Sequence, residues 1–294
     1  MNFPDLRMTT SRINLPVVRS TAPARPLNNW LDQSWRILAL PLLLFLALPL
    51  VAIYTQVRLT DLWATLNQEQ VIQAVTLSLA TSICTALVTL LFGTPVAYLL
   101  SQRRTGFHRF ADTLVDLPTV LPPAVAGVAL LMAFGRRGLL GPWLTSTGID
   151  IPFTILAVIM AQTFVAAPYY VKAAAIGFAG IDPELKQAAA LDGADRWQTF
   201  RHIILPMTWM ALLSGCVMTW ARALGEFGAT IIFAGNLPGR TQTMPLAIYI
   251  GFEIELKTAL TLSIILICFS FLSLMIVKSI LHRRLEADFE VKSG

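Results

Sequence analysis

Of the chain's 294 residues 55% are hydrophobic and only 13% charged, about half the charge of an ordinary soluble domain. With a mean hydropathy of +0.66, this composition excludes a water-soluble globular protein and calls for the bilayer as solvent. Cys84, Cys216 and Cys268 fall in three different apolar stretches, and the net charge is +5; the cysteine spacing offers neither a disulfide framework nor a metal site.

Residues 1–35 are rich in Pro, Arg and Thr and lack the hydrophobic core and cleavage site of a signal peptide, so they read as a retained polar tail. Apolar runs follow near 37–57, 71–100, 114–134, 151–171, 203–234 and 259–280. Each supplies the roughly 20 residues of a spanning helix. The expected fold is therefore an all-α membrane protein, with six transmembrane helices in a domain at 36–284 and a polar C-terminal tail at 285–294. The second run exceeds a bilayer's thickness and predicts a tilted or protruding helix. The third, LPTVLPPAVAGVALL at 117–131, holds Pro118, Pro122 and Pro123. Proline removes a backbone donor and clashes with the preceding turn, which predicts a kinked or broken span. Broken backbone at membrane depth persists only against protein or a water-filled cavity. The prolines thus fit either a channel or transporter, or a kink that serves packing. Small residues from Ala124 to Gly127 allow another helix to approach closely.

Basic residues set the orientation. Arg7, Arg12, Arg19, Arg25 and Arg36 precede the first span, and Arg103, Arg104 and Arg109 follow the second. Lys172, Lys186, Arg196 and Arg201 separate the fourth and fifth, while Lys278, Arg283, Arg284 and Lys292 close the chain. With six alternating spans these all lie on one side. The positive-inside rule makes that side the cytoplasm, with both termini inside and Arg136 and Arg137 outside against the trend. His108, His202 and His282 neighbour arginines and read as basic loop residues rather than catalytic ones. A membrane enzyme would need His, Asp or Glu clustered at one depth, and the spans show no such cluster.

Between the fourth and fifth spans lies a polar island, 182–206, ending in QAAALDGADRWQTFRHIILP. Asp182 suits an N-cap, Pro183 the first helical position, and Glu184 the positive end of the helix dipole. A helix through Leu191 then meets Gly193 as its C-terminal cap. Asp195 begins a second short helix that carries Trp197 and Phe200 three apart on one face. The expected unit is helix, glycine corner, helix, with two projecting aromatics. They suit a knob for a partner's groove, or rings lying among lipid headgroups.

Residues 187–206 resemble the signature of permease subunits of ATP-binding-cassette (ABC) importers: Glu-Ala-Ala, three residues, Gly, nine residues, Ile-x-Leu-Pro. Ala188, Ala189, Gly193, Ile203, Leu205 and Pro206 match it. Gln187 stands where the family usually has Glu, losing a charge but keeping a helix former with a hydrogen-bonding head. The resemblance implies a coupling helix that docks into a cleft of an ATPase subunit. The docking residues would be Gln187, Ala188, Ala189, Asp192, Gly193, Ala194, Trp197, Phe200 and Pro206. A second stretch, RALGEFGATIIFAGNLPGRTQTMPLAIY at 222–249, is similar to molybdate permeases, which are close to the tungstate and sulfate ones. The prolines of the third span and the stretch after Gly135 fit the same group, so the similarity covers nearly all of 70–280.

Arg222 and Glu226 lie four apart, share a helix face and can pair. Counting about 20 residues from Ile203 puts Arg222 near the outer boundary. Gly225 and Gly228 predict a bend there, with 229–236 dipping back or forming an outer gate. Two readings stand: an ion pair that anchors the helix end, or an Arg222 that attracts an oxyanion while Glu226 positions it or gates. Thr230, Asn236, Thr241 and Thr243 offer neutral hydrogen bonds that guide an anion without trapping it. The candidate translocation path or gate is accordingly Pro122, Pro123, Arg222, Glu226, Thr230 and Asn236.

GNLPGRT at 235–241 misses the spacing of a phosphate loop, has Arg for Lys and follows no strand. No catalytic residue, metal ligand or cofactor is expected in this chain, and ATP with Mg is expected on a separate ATPase. Energy is needed: a divalent anion entering against about 150 mV costs about 7 kcal/mol. The resemblance implies a transporter subunit rather than an enzyme, moving a tetrahedral oxyanion by alternating access. Molybdate or tungstate stands ahead of sulfate or thiosulfate. Implied partners are a second permease copy, two ABC ATPase subunits, an extracytoplasmic oxyanion-binding protein and membrane lipid, with no nucleic acid. The implied location is the inner (cytoplasmic) membrane. A non-transporting scaffold that uses the island to hold a cytoplasmic partner is the reading from another class.

Overall fold

The computed structural model describes the backbone of residues 29–57, 59–102 and 106–293, and side chains within 34–57, 62–102 and 106–279. The tail through residue 28, Arg103 and Arg104 lie outside the described residues, as do the side chains of His282, Arg283, Arg284 and Lys292. In chain order the helices are α1 (Asn29–Gln56), α2 (Leu59–Leu66), α3 (Glu69–Leu100), α4 (Gly106–Val120), α5 (Pro123–Phe134), α6 (Gly141–Ser146) and α7 (Ile155–Ala179). There follow α8 (Pro183–Leu191), α9 (Arg196–Thr199), a π turn (Phe200–Ile204), α10 (Leu205–Leu224), α11 (Gly228–Phe233), α12 (Met244–Ile254) and α13 (Leu256–Ser293). Among the described residues there is no strand.

The chain forms two units, one ending at Val51 and the other starting at Ala52. The first is most of α1, part of an apolar stretch, Ser34–Gln56, long enough to cross a membrane. In the second unit Glu69–Leu100, Ile155–Ala179, Arg196–Leu224 and Leu256–Ser279 meet the same test. The bent pair α4 and α5 supplies a sixth crossing when taken as one span.

Helix α7 is the centre of the second unit, packed along α3 and α10 and touching α4, α5 and α11. Several of its inward positions are small, with Ala157, Ala161, Ala166 and Ala174 fully buried beside the large Tyr170 and Phe178. Lipid tails are as apolar as leucine, so close approach between small residues is what holds membrane helices together. At the α10 contact a Cβ added to Gly215 would lie 3.0 Å from Ala173 Cβ and 3.2 Å from the Tyr170 ring. Helix α3 contributes a buried hydroxyl stripe of Ser78, Thr81, Ser82, Thr85 and Thr89, spaced along one face. Two of these reach other helices: Thr85 donates to Gln162 Oε1 at 3.1 Å, and Ser78 Oγ accepts the Met244 N–H at 2.6 Å.

The third span is two helices. Their axes differ by 118°, with Pro122 extended at φ −54° and ψ 133° and Pro123 opening α5. Consecutive prolines delete two donors, and the second forces its predecessor out of helical geometry. Pro118, alone inside α4, does not end it. The stretch from Ala124 to Gly127 receives a neighbour as its composition suggested: a Cβ on Gly127 would lie 2.9 Å from the Ala229 carbonyl oxygen of α11.

One charge sits elsewhere than expected. Lys172, assigned by its charge to the loop after the fourth span, lies inside α7, and its Nζ meets Asp112 Oδ1 at 2.6 Å and Asp116 Oδ2 at 2.8 Å. The two aspartates are one turn apart on α4, so the break at Pro122 lets α4 lie across α7 and gather these charges.

Candidate functional site

The island is built by local rules. The Glu184 N–H donates to Asp182 Oδ1 at 2.9 Å, capping α8, and Pro183 follows at the first helical position. At the other end the Gly193 N–H donates to Ala190 O and the Ala194 N–H to Ala189 O at 2.9 Å. Gly193 has φ +84°, the left-handed geometry that closes a helix this way. Asp195 and Gln198 then form a reciprocal capping box: the Gln198 N–H donates to Asp195 Oδ1 and the Asp195 N–H to Gln198 Oε1.

Beyond α9 the helix does not stop at Leu-Pro. Helix α9, the π turn and α10 run as one apolar helical segment, Arg196–Leu224. Pro206 has no N–H and crowds the carbonyl four residues back. The wider turn, closed by the Leu205 N–H on Phe200 O, accommodates it. The expectation of a separate short helix is thereby corrected: the island's second half is the end of the fifth spanning helix.

The aromatics also divide. Trp197 is 65% exposed and stacks on Phe200 at 5.9 Å. Phe200 does not project; it is half-buried, edge-on to Tyr98 of α3 at 5.2 Å and 6.2 Å from Phe178 of α7. This cluster fixes the island to the ends of α3 and α7. Of the other docking candidates, Gln187, Ala188, Asp192, Gly193 and Pro206 are exposed and Ala194 is half-buried. Ala189 is buried.

Near the other end of α10, Arg222 Nη1 donates to Glu226 Oε2 at 2.7 Å. Glu226 is 1% exposed, and its Oε1 also accepts the Ala229 N–H in the first turn of α11 at 2.9 Å. A carboxylate there is favoured by the helix dipole and satisfied on both oxygens. The helix breaks between Leu224 and Gly228, where a bend was expected, and α11 packs on α5 and α7. Thr230 is fully buried, Asn236 is half-buried, and Thr230 Oγ1 and Asn236 Oδ1 have no hydrogen-bond partner among the described residues. Thr241, read as a guide for anions, is instead buried with its Oγ1 accepting the Leu237 N–H at 3.0 Å, holding the 237–241 turn. Thr243 is buried too, at the N-cap of α12.

Residues 89–289 match the family described as binding-protein-dependent transport system inner membrane component. The chain belongs to this family. It is an ABC importer permease and an integral inner-membrane protein. The permease is 40% identical over 227 residues to the molybdenum transport system permease protein ModB of Mycobacterium tuberculosis, covering 76% of this chain and 85% of that protein. It is 31% identical over 244 residues to the sulfate transport system permease protein CysT of Escherichia coli, covering 82% and 88%. Its fold is similar to a chain of a bacterial alginate ABC transporter solved with an alginate pentasaccharide-bound periplasmic protein. The TM-score there is 0.67 at 18% identity, with 87% of this chain and 95% of that one covered.

Sequence reasoning missed one exposed side chain of the permease's island. Leu191 is 89% exposed at the end of α8, beside the glycine corner. Its position four after Gln187, on the same face, was the available signal.

Proposed function

We propose that this permease forms the membrane path of an ATP-driven importer for molybdate or tungstate, working by alternating access. The observation that carries the reading is the continuity of Arg196–Leu224: the segment that presents Trp197 is the same helical rod that spans the membrane. Closure of two cytoplasmic ATPase subunits around the islands of two permease copies would move these rods as rigid bodies, without an intervening hinge. Gln187, Ala188, Leu191, Asp192, Gly193 and Trp197 would form the contact. ATP and Mg would reside on the ATPase, and an extracytoplasmic binding protein would supply the oxyanion. Both termini would lie in the cytoplasm. Pro122 and Pro123, with Thr230 and Asn236, would frame the gate, and Arg222 with Glu226 would hold its helix ends. Molybdate rather than sulfate is favoured by 40% identity to the molybdenum permease against 31% to the sulfate one.

Proteoliposomes containing the permease, its ATPase and its binding protein test this reading. ATP-dependent uptake of labelled molybdate is expected, displaced by tungstate and little affected by equimolar sulfate. Uptake displaced chiefly by sulfate would reassign the substrate. A complex that assembles but transports no oxyanion would leave the scaffold reading.

A further inference from the structure

We propose that the groove between α3 and the island binds one anionic phospholipid per chain, drawn from the leaflet beside the island. The groove holds a cavity of about 1290 Å³ between the second half of α3 and the segment formed by α8, α9 and the π turn. Its α3 wall runs from Leu87 to the helix end at Leu100, about 20 Å at 1.5 Å per residue, with Ser101 and Gln102 just beyond. One leaflet, half of the about 40–45 Å of a bilayer with its headgroups, has the same depth.

The lining is graded along that length. Leu87, Leu90, Leu91 and Pro95 make one end apolar, and Leu87 and Leu91 are 58% and 68% exposed. Ser101 and Gln102 line it past the far end of α3, and the island lends Lys186 and Arg196 to the same lining. Among the described residues no acid lines the groove and neither cation forms an ion pair. Asp182 and Asp195, which start the two island helices, are turned to backbone amides instead. An apolar trough one leaflet deep, ending in two unpaired cations, complements a molecule with an acyl chain and a net negative headgroup. A zwitterionic lipid fits the trough but lacks the charge that Lys186 and Arg196 select. A free oxyanion would match the cations and leave the trough unfilled.

This proposal shares with the functional reading only the island's place at a membrane face, and it is tested without ATPase or transport. Purified permease is titrated with dioleoylphosphatidylglycerol, dioleoylphosphatidylcholine and glycerol 1-phosphate under native mass spectrometry. One phosphatidylglycerol per chain is expected, held roughly 30-fold more tightly than phosphatidylcholine if each cation contributes as basic residues do at anionic surfaces. Lys186→Glu with Arg196→Glu should bring that ratio near one while leaving phosphatidylcholine binding unchanged. Should this pair not fold, Lys186→Ala with Arg196→Ala gives the same comparison. Leu91→Trp, which fills the trough, should weaken both lipids. Equal retention of the two lipids by the unaltered permease, or an unchanged ratio in the charge variants, would overturn the proposal. Displacement by glycerol 1-phosphate at matched concentration would reduce the site to a plain anion site. A benzophenone side chain at position 91 that crosslinks in native membranes to a second permease or an ATPase, rather than to lipid, would give the groove to protein.

Discussion

At the residue scale, Arg222 and Glu226 are unequal partners. Removing Arg222 strands a carboxylate that is 1% exposed, whereas removing the charge of Glu226 leaves a guanidinium side chain still 28% open to water. An unpaired buried charge costs about 3–5 kcal/mol, while a lost hydrogen bond with both groups still solvated or satisfied costs about 1 kcal/mol. Arg222→Ala should therefore lower the thermal stability of the purified permease clearly more than Glu226→Gln, which keeps an oxygen for the Ala229 amide. A reversed order in thermal unfolding would count against the anchoring role. Gly193 permits a second test. Its φ of +84° is out of reach for proline, yet nothing lies within 4 Å of where a Cβ would stand. Gly193→Pro should redirect the corner, through its fixed φ and the loss of the N–H that Ala190 O accepts, so that membrane insertion stays normal while uptake falls at least tenfold. Insertion assayed by fractionation, beside uptake in proteoliposomes, separates the two.

At the element scale, the π turn is a device for passing Pro206. Relative to a regular helix it inserts one residue, and one residue is about 100° of rotation. Pro206→Ala restores the missing N–H and lets Phe200–Ile204 relax to α geometry, turning Trp197 away from its present azimuth. Helicity and stability should hold or rise, while recovery of the ATPase with tagged permease should fall several-fold. Unchanged recovery would mean that the azimuth of Trp197 is immaterial. The caps of α8 and α9 were legible in the sequence because Asp182, Gly193 and Asp195 act on amides within a few residues. The inward turn of Phe200 was not legible, since its partners Tyr98 and Phe178 belong to other helices. Nor was the place of Lys172, which depends on how far α4 swings at Pro122.

At the scale of the whole molecule, exposure and anchorage predict different failures. Leu191 and Trp197 present 89% and 65% of their surface, Trp197 resting on Phe200. Leu191→Ala or Trp197→Ala should weaken ATPase co-purification, by roughly 1–3 kcal/mol for a contact residue of this size, with the permease itself equally stable. Phe200→Ala removes the bolt between the island and the ends of α3 and α7. It should leave the docking surface present but loosely held, so that ATP is hydrolysed with less oxyanion moved per ATP. Measuring uptake and hydrolysis in the same proteoliposomes distinguishes loss of contact from loss of transmission.

Run length and composition determined the membrane class, the helical fold and the places of the main apolar helices, because the bilayer demands internally bonded backbone over a fixed thickness. Local capping chemistry likewise determined where α8 starts, where its glycine corner lies and where the next helix begins. Tertiary structure alone decided that the island is continuous with the fifth span and that the third span doubles back by 118°. It also decided that Glu226 is committed to Arg222 and the Ala229 amide, and that a groove opens beside Lys186 and Arg196. These depend on which helices meet, and in a chain of nearly uniform hydropathy that is set by small residues and buried polar contacts rather than by any pattern along the sequence.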